Sequence, residues 1–128
     1  MAWLKPSILL AATVGTLAAG TASAQTMTSP EIRATLEGNS ISNEDEIQYF
    51  NPDGTTIYQK GSKSVSGRWR IDGYKLCSDV STDVRLLDSG GKGKVWQCHA
   101  VMGDRKRIAF LIEGHAYSWT VSEGKKVR

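Results

Sequence analysis

From residue 46 onward, apolar and polar residues alternate in short bursts separated by glycine-centred turns, the pattern of antiparallel strands buried on one face. The clearest burst is Arg68-Trp69-Arg70-Ile71-Asp72, which predicts a strand with Trp69 and Ile71 facing a core and both arginines facing water. Asn51-Pro52-Asp53-Gly54 is a strong turn signal between the runs 47–50 and 55–59, so these two predict a hairpin. Residues 61–66 are polar and read as a connection, with Gly61 free to take a backbone angle that side chains resist. After Gly73, Tyr74-Lys75-Leu76-Cys77 restores a strand with Tyr74 and Leu76 on one side. Residues 95–102 form a further run in which Trp96, Cys98, Ala100 and Met102 share a face. Gly103-Asp104 turns the chain into 108–112, the most apolar run, and Glu113-Gly114 turns it into 116–122, with Tyr117, Trp119 and Val121 on one face.

Two segments depart from this rhythm. Ser29-Pro30-Glu31 is a helix start, with Ser29 read as the cap and Pro30 at the first helical position, and Gly38-Asn39 is the stop. A helix of about two turns is not stable alone, so Ile32 and Leu36 must lie on the rest of the domain, plugging an end of a curled sheet. Residues 78–94 are irregular: Val80, Val84, Leu86 and Leu87 read as an edge strand or loop, and the glycine-rich stretch 88–93 reads as a flexible tip. The expected fold is mainly β, a small antiparallel meander of about seven strands with one short N-terminal helix. It closes into a barrel, which removes exposed edges, or packs as a two-sheet sandwich.

Residues 1–24 change the picture of compartment. Lys5, an uncharged apolar stretch over 8–19 and Ala22-Ser23-Ala24 form an export signal cleaved before Gln25. The competing reading, a retained membrane anchor, wants roughly 20 apolar residues, and Thr13, Gly15, Thr16, Gly20 and Thr21 dilute a shorter run. Residues 25–128 then form a single β-rich domain, periplasmic or secreted, with no stable membrane insertion after cleavage. In that oxidising setting Cys77 and Cys98, the only cysteines, read first as a structural disulfide; a metal pair or redox couple is the alternative. The formal charge of +3 falls to +2 when Lys5 leaves with the signal, too mild to imply nucleic acid as partner.

Candidate chemistry is sparse. Trp69, Trp96, Trp119 and Tyr117 head a set of aromatics that either fill the core or line a partly open pocket for an apolar ligand. Lys92 and Lys94, Arg105-Lys106-Arg107, and the tail residues Lys125, Lys126 and Arg128 are solvated tips or, if they converge, a patch for an anionic partner. His99 and His115 are the only histidines. No metal motif, serine elbow, phosphate loop or paired-carboxylate arrangement stands out, so no catalytic residue, metal ligand or cofactor is expected.

The run Gly67-x-Trp69-x-Ile71-x-Gly73-x-x-x-Cys77, with Trp96-x-Cys98 and Phe110-Leu111-x-x-Gly114 after it, resembles small exported alpha-proteobacterial proteins of unknown function. The helix start at 29–39 and the hairpin at 49–54 belong to the same resemblance, which extends over most of 29–121. It implies an exported, lipocalin-like β domain and no catalytic residues. Two functions of different class follow. One is a non-catalytic binding or inhibitory module whose basic loops, with Lys92, Lys94, Arg105, Lys106 and Arg107, meet an envelope protein or anionic partner. The other is a lipocalin-like carrier of a small apolar ligand.

Overall fold

A computed structural model describes residues 25–80 and 95–128. The export segment 1–24 and the stretch 81–94, with Lys92 and Lys94, lie outside the described residues. Among the described residues one helix, α1 (Ser29–Leu36), precedes eight strands: β1 (Asn39–Ser42), β2 (Glu46–Phe50), β3 (Thr55–Lys60), β4 (Lys63–Asp72), β5 (Lys75–Ser78), β6 (Gln97–Gly103), β7 (Arg107–Ile112) and β8 (His115–Glu123). Each strand pairs antiparallel with the next, and β1 pairs with β8 from Asn39↔Glu123 to Ser42↔Thr120, so the meander closes into a barrel. The sandwich alternative is thereby excluded.

The helix starts one residue earlier than its cap signal suggested. Thr28, not Ser29, is the N-cap: its hydroxyl accepts from the Glu31 N–H while the Glu31 carboxylate accepts from the Thr28 N–H, a reciprocal box. Ser29 is thereby freed to donate its hydroxyl to the carbonyl of Gly73, tying the helix to the β4–β5 turn. Ile32 and Leu36 are fully buried and, with Met27, close one end of the barrel over Phe50 and Trp69. The Phe50 and Trp69 rings meet edge-on at 5.5 Å, and the indole N–H donates to the Asn51 carbonyl at 2.8 Å. The indole thus ties β4 to the turn foreseen between β2 and β3.

Three further expectations need correction. Residues 61–66 are not a connection: only Gly61 and Ser62 turn, and β4 already pairs with β3 at Lys63↔Lys60. Val65, the one apolar residue there, packs against the core while its polar neighbours face out. β1 was not anticipated at all, because Asn39-Ser40-Ile41-Ser42 offers a single apolar side chain. Tyr74 shares parity with Leu76, yet it sits in the turn and is 53% exposed while Leu76 is buried.

Cys77 and Cys98 lie directly opposite each other on β5 and β6, with Cα atoms 4.0 Å apart, and are bonded. The bridge pins the two strands that frame residues 79–96. Asp79 extends the β4–β5 pairing: its carboxylate accepts from the Arg68 N–H at 2.6 Å and its own N–H donates to the Arg68 carbonyl. The chain crosses Gly67 so closely there that a Cβ would lie 2.2 Å from Asp79 Oδ1 and 2.3 Å from a Val80 methyl. Only glycine leaves that path open.

Candidate functional site

α1 runs straight into β1 and occupies the end where β2 finishes and β3 begins. The opposite end is ringed by the β1–β2 turn, the ends of β5 and β7 and the start of β6, and it holds a cavity of about 710 Å³. Its apolar wall comes from Leu76, Val80, Phe110, Ile112, Tyr117 and Trp119. Phe110 and Trp119 pack edge-on at 6.4 Å, making a rigid aromatic corner. Register explains the convergence: Ile108↔Trp119, Phe110↔Tyr117 and Leu76↔His99 are cross-strand partners, so these side chains point to the same, inner face.

The polar side chains of the cavity are ordered by a chain of hydrogen bonds. Thr56 donates its hydroxyl to the Tyr49 carbonyl at 2.7 Å, so it can only accept from Gln48, whose Nε2 lies 3.0 Å away and reaches Ser78 Oγ at 3.5 Å. That use of its NH2 fixes the Gln48 amide and leaves its carbonyl oxygen turned away from Thr56. Next to it, the fully buried Tyr58 donates its hydroxyl to Glu46 Oε2 at 2.7 Å. Burial, then the Glu46 hydrogen bond and charge, push the Tyr58 phenol far above its ordinary range, so it remains a donor. His99 also lines the cavity; burial first, then the Lys75 ammonium, lower its pKa and keep the ring neutral at pH 7.

β8 is longer than its partner on one side. β1 covers it only at Thr120–Glu123, so His115, Ala116, Tyr117, Ser118 and Trp119 pair with β7 alone. Beside this gap lies a recess of about 300 Å³ that shares Asn43, Ser118 and Trp119 with the cavity and holds Glu44 and Arg107. The cavity therefore adjoins a second recess on the side where β1 falls short of β8.

The residues singled out from sequence fall in different places. Trp119 and Tyr117 line the cavity, the first buried and the second half-exposed. Trp69 belongs to the plugged end, under the Arg33 guanidinium at 5.8 Å. Trp96 stands on the outer wall, where Arg70 stacks on it at 4.3 Å and Arg68 at 5.7 Å. Arg105, Lys106 and Arg107 are exposed around the β6–β7 turn, which Asp104 organises by accepting from the Lys106 and Arg107 N–H groups. The tail cations are drawn onto the outer wall: the Lys126 N–H donates to Ser40 Oγ, and the Arg128 N–H donates to Gln59 Oε1. By sequence Glu46 reads as part of the acidic run 43–46, a solvated face and not a calcium loop, and Gln48 attracts no reading. The structure puts both in the cavity lining, and the signal for it is their strict alternation with Ile47 and Tyr49 in a strand that ends in the buried Phe50.

Among the described residues no group of three or more His, Cys, Asp or Glu side chains is arranged to hold a metal ion. The fold is a small β-barrel suited to a ligand- or protein-binding module. No family model matches the chain, and neither a curated protein nor a solved structure matches it.

Proposed function

We propose that this protein is a non-catalytic carrier that holds a small, largely apolar ligand in the open end of its barrel, acting in the periplasm or outside the cell. One observation carries the reading: the barrel is filled and plugged at the α1 end but retains a cavity of about 710 Å³ at the other, walled by Phe110, Trp119, Tyr117, Leu76 and Ile112. Pockets of roughly 300–1,000 Å³ with apolar walls and a few placed polar groups are the usual form of small-ligand sites. The exposed turn at Arg105, Lys106 and Arg107 supports the other reading, an acidic protein partner. That turn, however, is a short hairpin tip already neutralised in part by Asp104, and it offers no concave surface.

The test is native against denatured mass spectrometry of protein purified from its own cells, joined to titration with the neutral dye Nile red. A carrier shows a mass excess lost on denaturation, or saturable dye binding with energy transfer from tryptophan that weakens in Trp119→Phe. Absence of both the mass excess and dye binding overturns the proposal.

A further inference from the structure

The polar groups of the cavity are biased towards accepting hydrogen bonds. Gln48 is 7% exposed, and its NH2 is committed to Thr56 and Ser78, so its carbonyl oxygen is an acceptor with no partner among the described residues. Glu46 Oε2 takes the Tyr58 hydroxyl, while Oε1 has no partner among the described residues. Glu113 adds a second carboxylate at the β7–β8 turn, and the described lining contains no lysine or arginine. Lys60, opposite Glu46 in the sheet, reaches Asp45 at 4.0 Å outside the cavity, and Lys63 beyond it is not part of the lining either. Arg107 lies in the adjoining recess together with Glu44, and Lys75, whose charge reaches His99, pairs with Ala100 and is not part of the lining.

Thr35 Oγ1, not either of these oxygens, is the sealed unpartnered atom among the described residues, so both acceptors face the cavity. When an apolar body displaces the water there, they cost free energy unless the ligand donates to them. We infer that the ligand is an amphiphile with a hydrogen-bond-donating, cationic head, an alkyl or aryl amine, whose apolar body lies on Phe110 and Trp119 while its ammonium group donates to Glu46 Oε1 and Gln48 Oε1. A carboxylate head, the hallmark of fatty-acid carriers, is disfavoured because it meets two acceptors and two like charges. The inference rests on the carrier reading and adds the chemistry of the head group.

The experiment compares decylamine, decanol and decanoate at neutral pH, below their micellar concentrations, by isothermal titration of wild type and of Glu46→Gln. Gln at this position still accepts from the Tyr58 hydroxyl, so the fold is retained, and circular dichroism confirms it. Expected is decylamine binding about 10- to 100-fold tighter than decanoate, the range of one charge-assisted hydrogen bond, with decanol between them and the preference cut by about tenfold in Glu46→Gln. Equal or tighter binding of decanoate overturns the head-group inference while leaving the carrier standing, and its loss in Arg107→Gln would put the head in the side recess. An amine preference unchanged in Glu46→Gln overturns the role given to Glu46. Failure of all three compounds, with Nile red also unbound, overturns the carrier reading itself.

Discussion

Opening the Cys77–Cys98 bond is the perturbation whose size follows most directly from the structure. The two cysteines are separated by 21 residues in sequence yet are directly paired on adjacent strands, and the bond closes the chain between β5 and β6. In the loop-entropy treatment, a closed loop of this length removes about 11 cal/mol/K from the unfolded chain, or about 3 kcal/mol at room temperature. The pairing Arg70↔Cys77 and the hydrogen bonds of Asp79 to Arg68 remain without the bond, so the native barrel should survive and the loss should fall on the unfolded side. With a urea dependence of about 1–1.5 kcal/mol/M for a small domain, the midpoint moves down by roughly 2–3 M. The assay is urea unfolding followed by tryptophan fluorescence, for oxidised protein, protein in reductant, and Cys77→Ala/Cys98→Ala. A midpoint within about 0.5 M of the oxidised value would refute the loop-entropy reasoning. A reduced protein without native circular dichroism would instead show that the strand pairing depends on the bond. Because Ser78, Val80 and Gln97 line the cavity beside the bridge, Nile red affinity in reductant reports whether the mouth loosens with it.

Three further outcomes are expected. Gly67→Ala places a Cβ against Asp79 and Val80 and should lower stability by about 1–3 kcal/mol, the cost of overpacking, read from the urea midpoint. Thr35 is 2% exposed with a hydroxyl that finds no hydrogen-bond partner among the described residues, so Thr35→Val, equally β-branched, should raise stability by about 1 kcal/mol; a loss of that size would show that the hydroxyl is satisfied in solution. The folded-state pKa of Tyr58 is raised by burial and by Glu46, so its contribution is complete below the unfolded tyrosine pKa of about 10 and is lost as pH rises above it. Urea midpoints should therefore fall from pH 9 to pH 11 more steeply in wild type than in Tyr58→Phe, and equal slopes would dismiss Tyr58 as the titrating group.

The amino-acid order alone determined the local elements wherever a turn and an alternation agreed. Asn51-Pro52-Asp53-Gly54 places a hairpin because Gly54 takes φ 91° and the Asn51 and Asp53 side-chain Oδ1 atoms accept from the backbone N–H groups of Asp53 and Thr55. Arg68-Trp69-Arg70 sets one buried tryptophan between two exposed arginines. β1 stayed hidden because it is made by its neighbours: its four residues pair with β2 on one side and β8 on the other, and the β8 partners are some 80 positions away. Alternation separates two faces of a strand without saying which is inside. In β6 and at Trp96 just before it, the tertiary structure turned Trp96, Cys98 and Ala100 outward with the arginine stack and brought Gln97 and His99 in. In β2 it brought Glu46 and Gln48 inside, where a hydrophobic pattern would have put Ile47 and Tyr49. Closure is the physical reason. Once β8 meets β1, every strand's inner face follows from the register, and polar residues are held inside wherever Tyr58, Thr56 and Ser78 satisfy them and the cavity leaves room for a ligand.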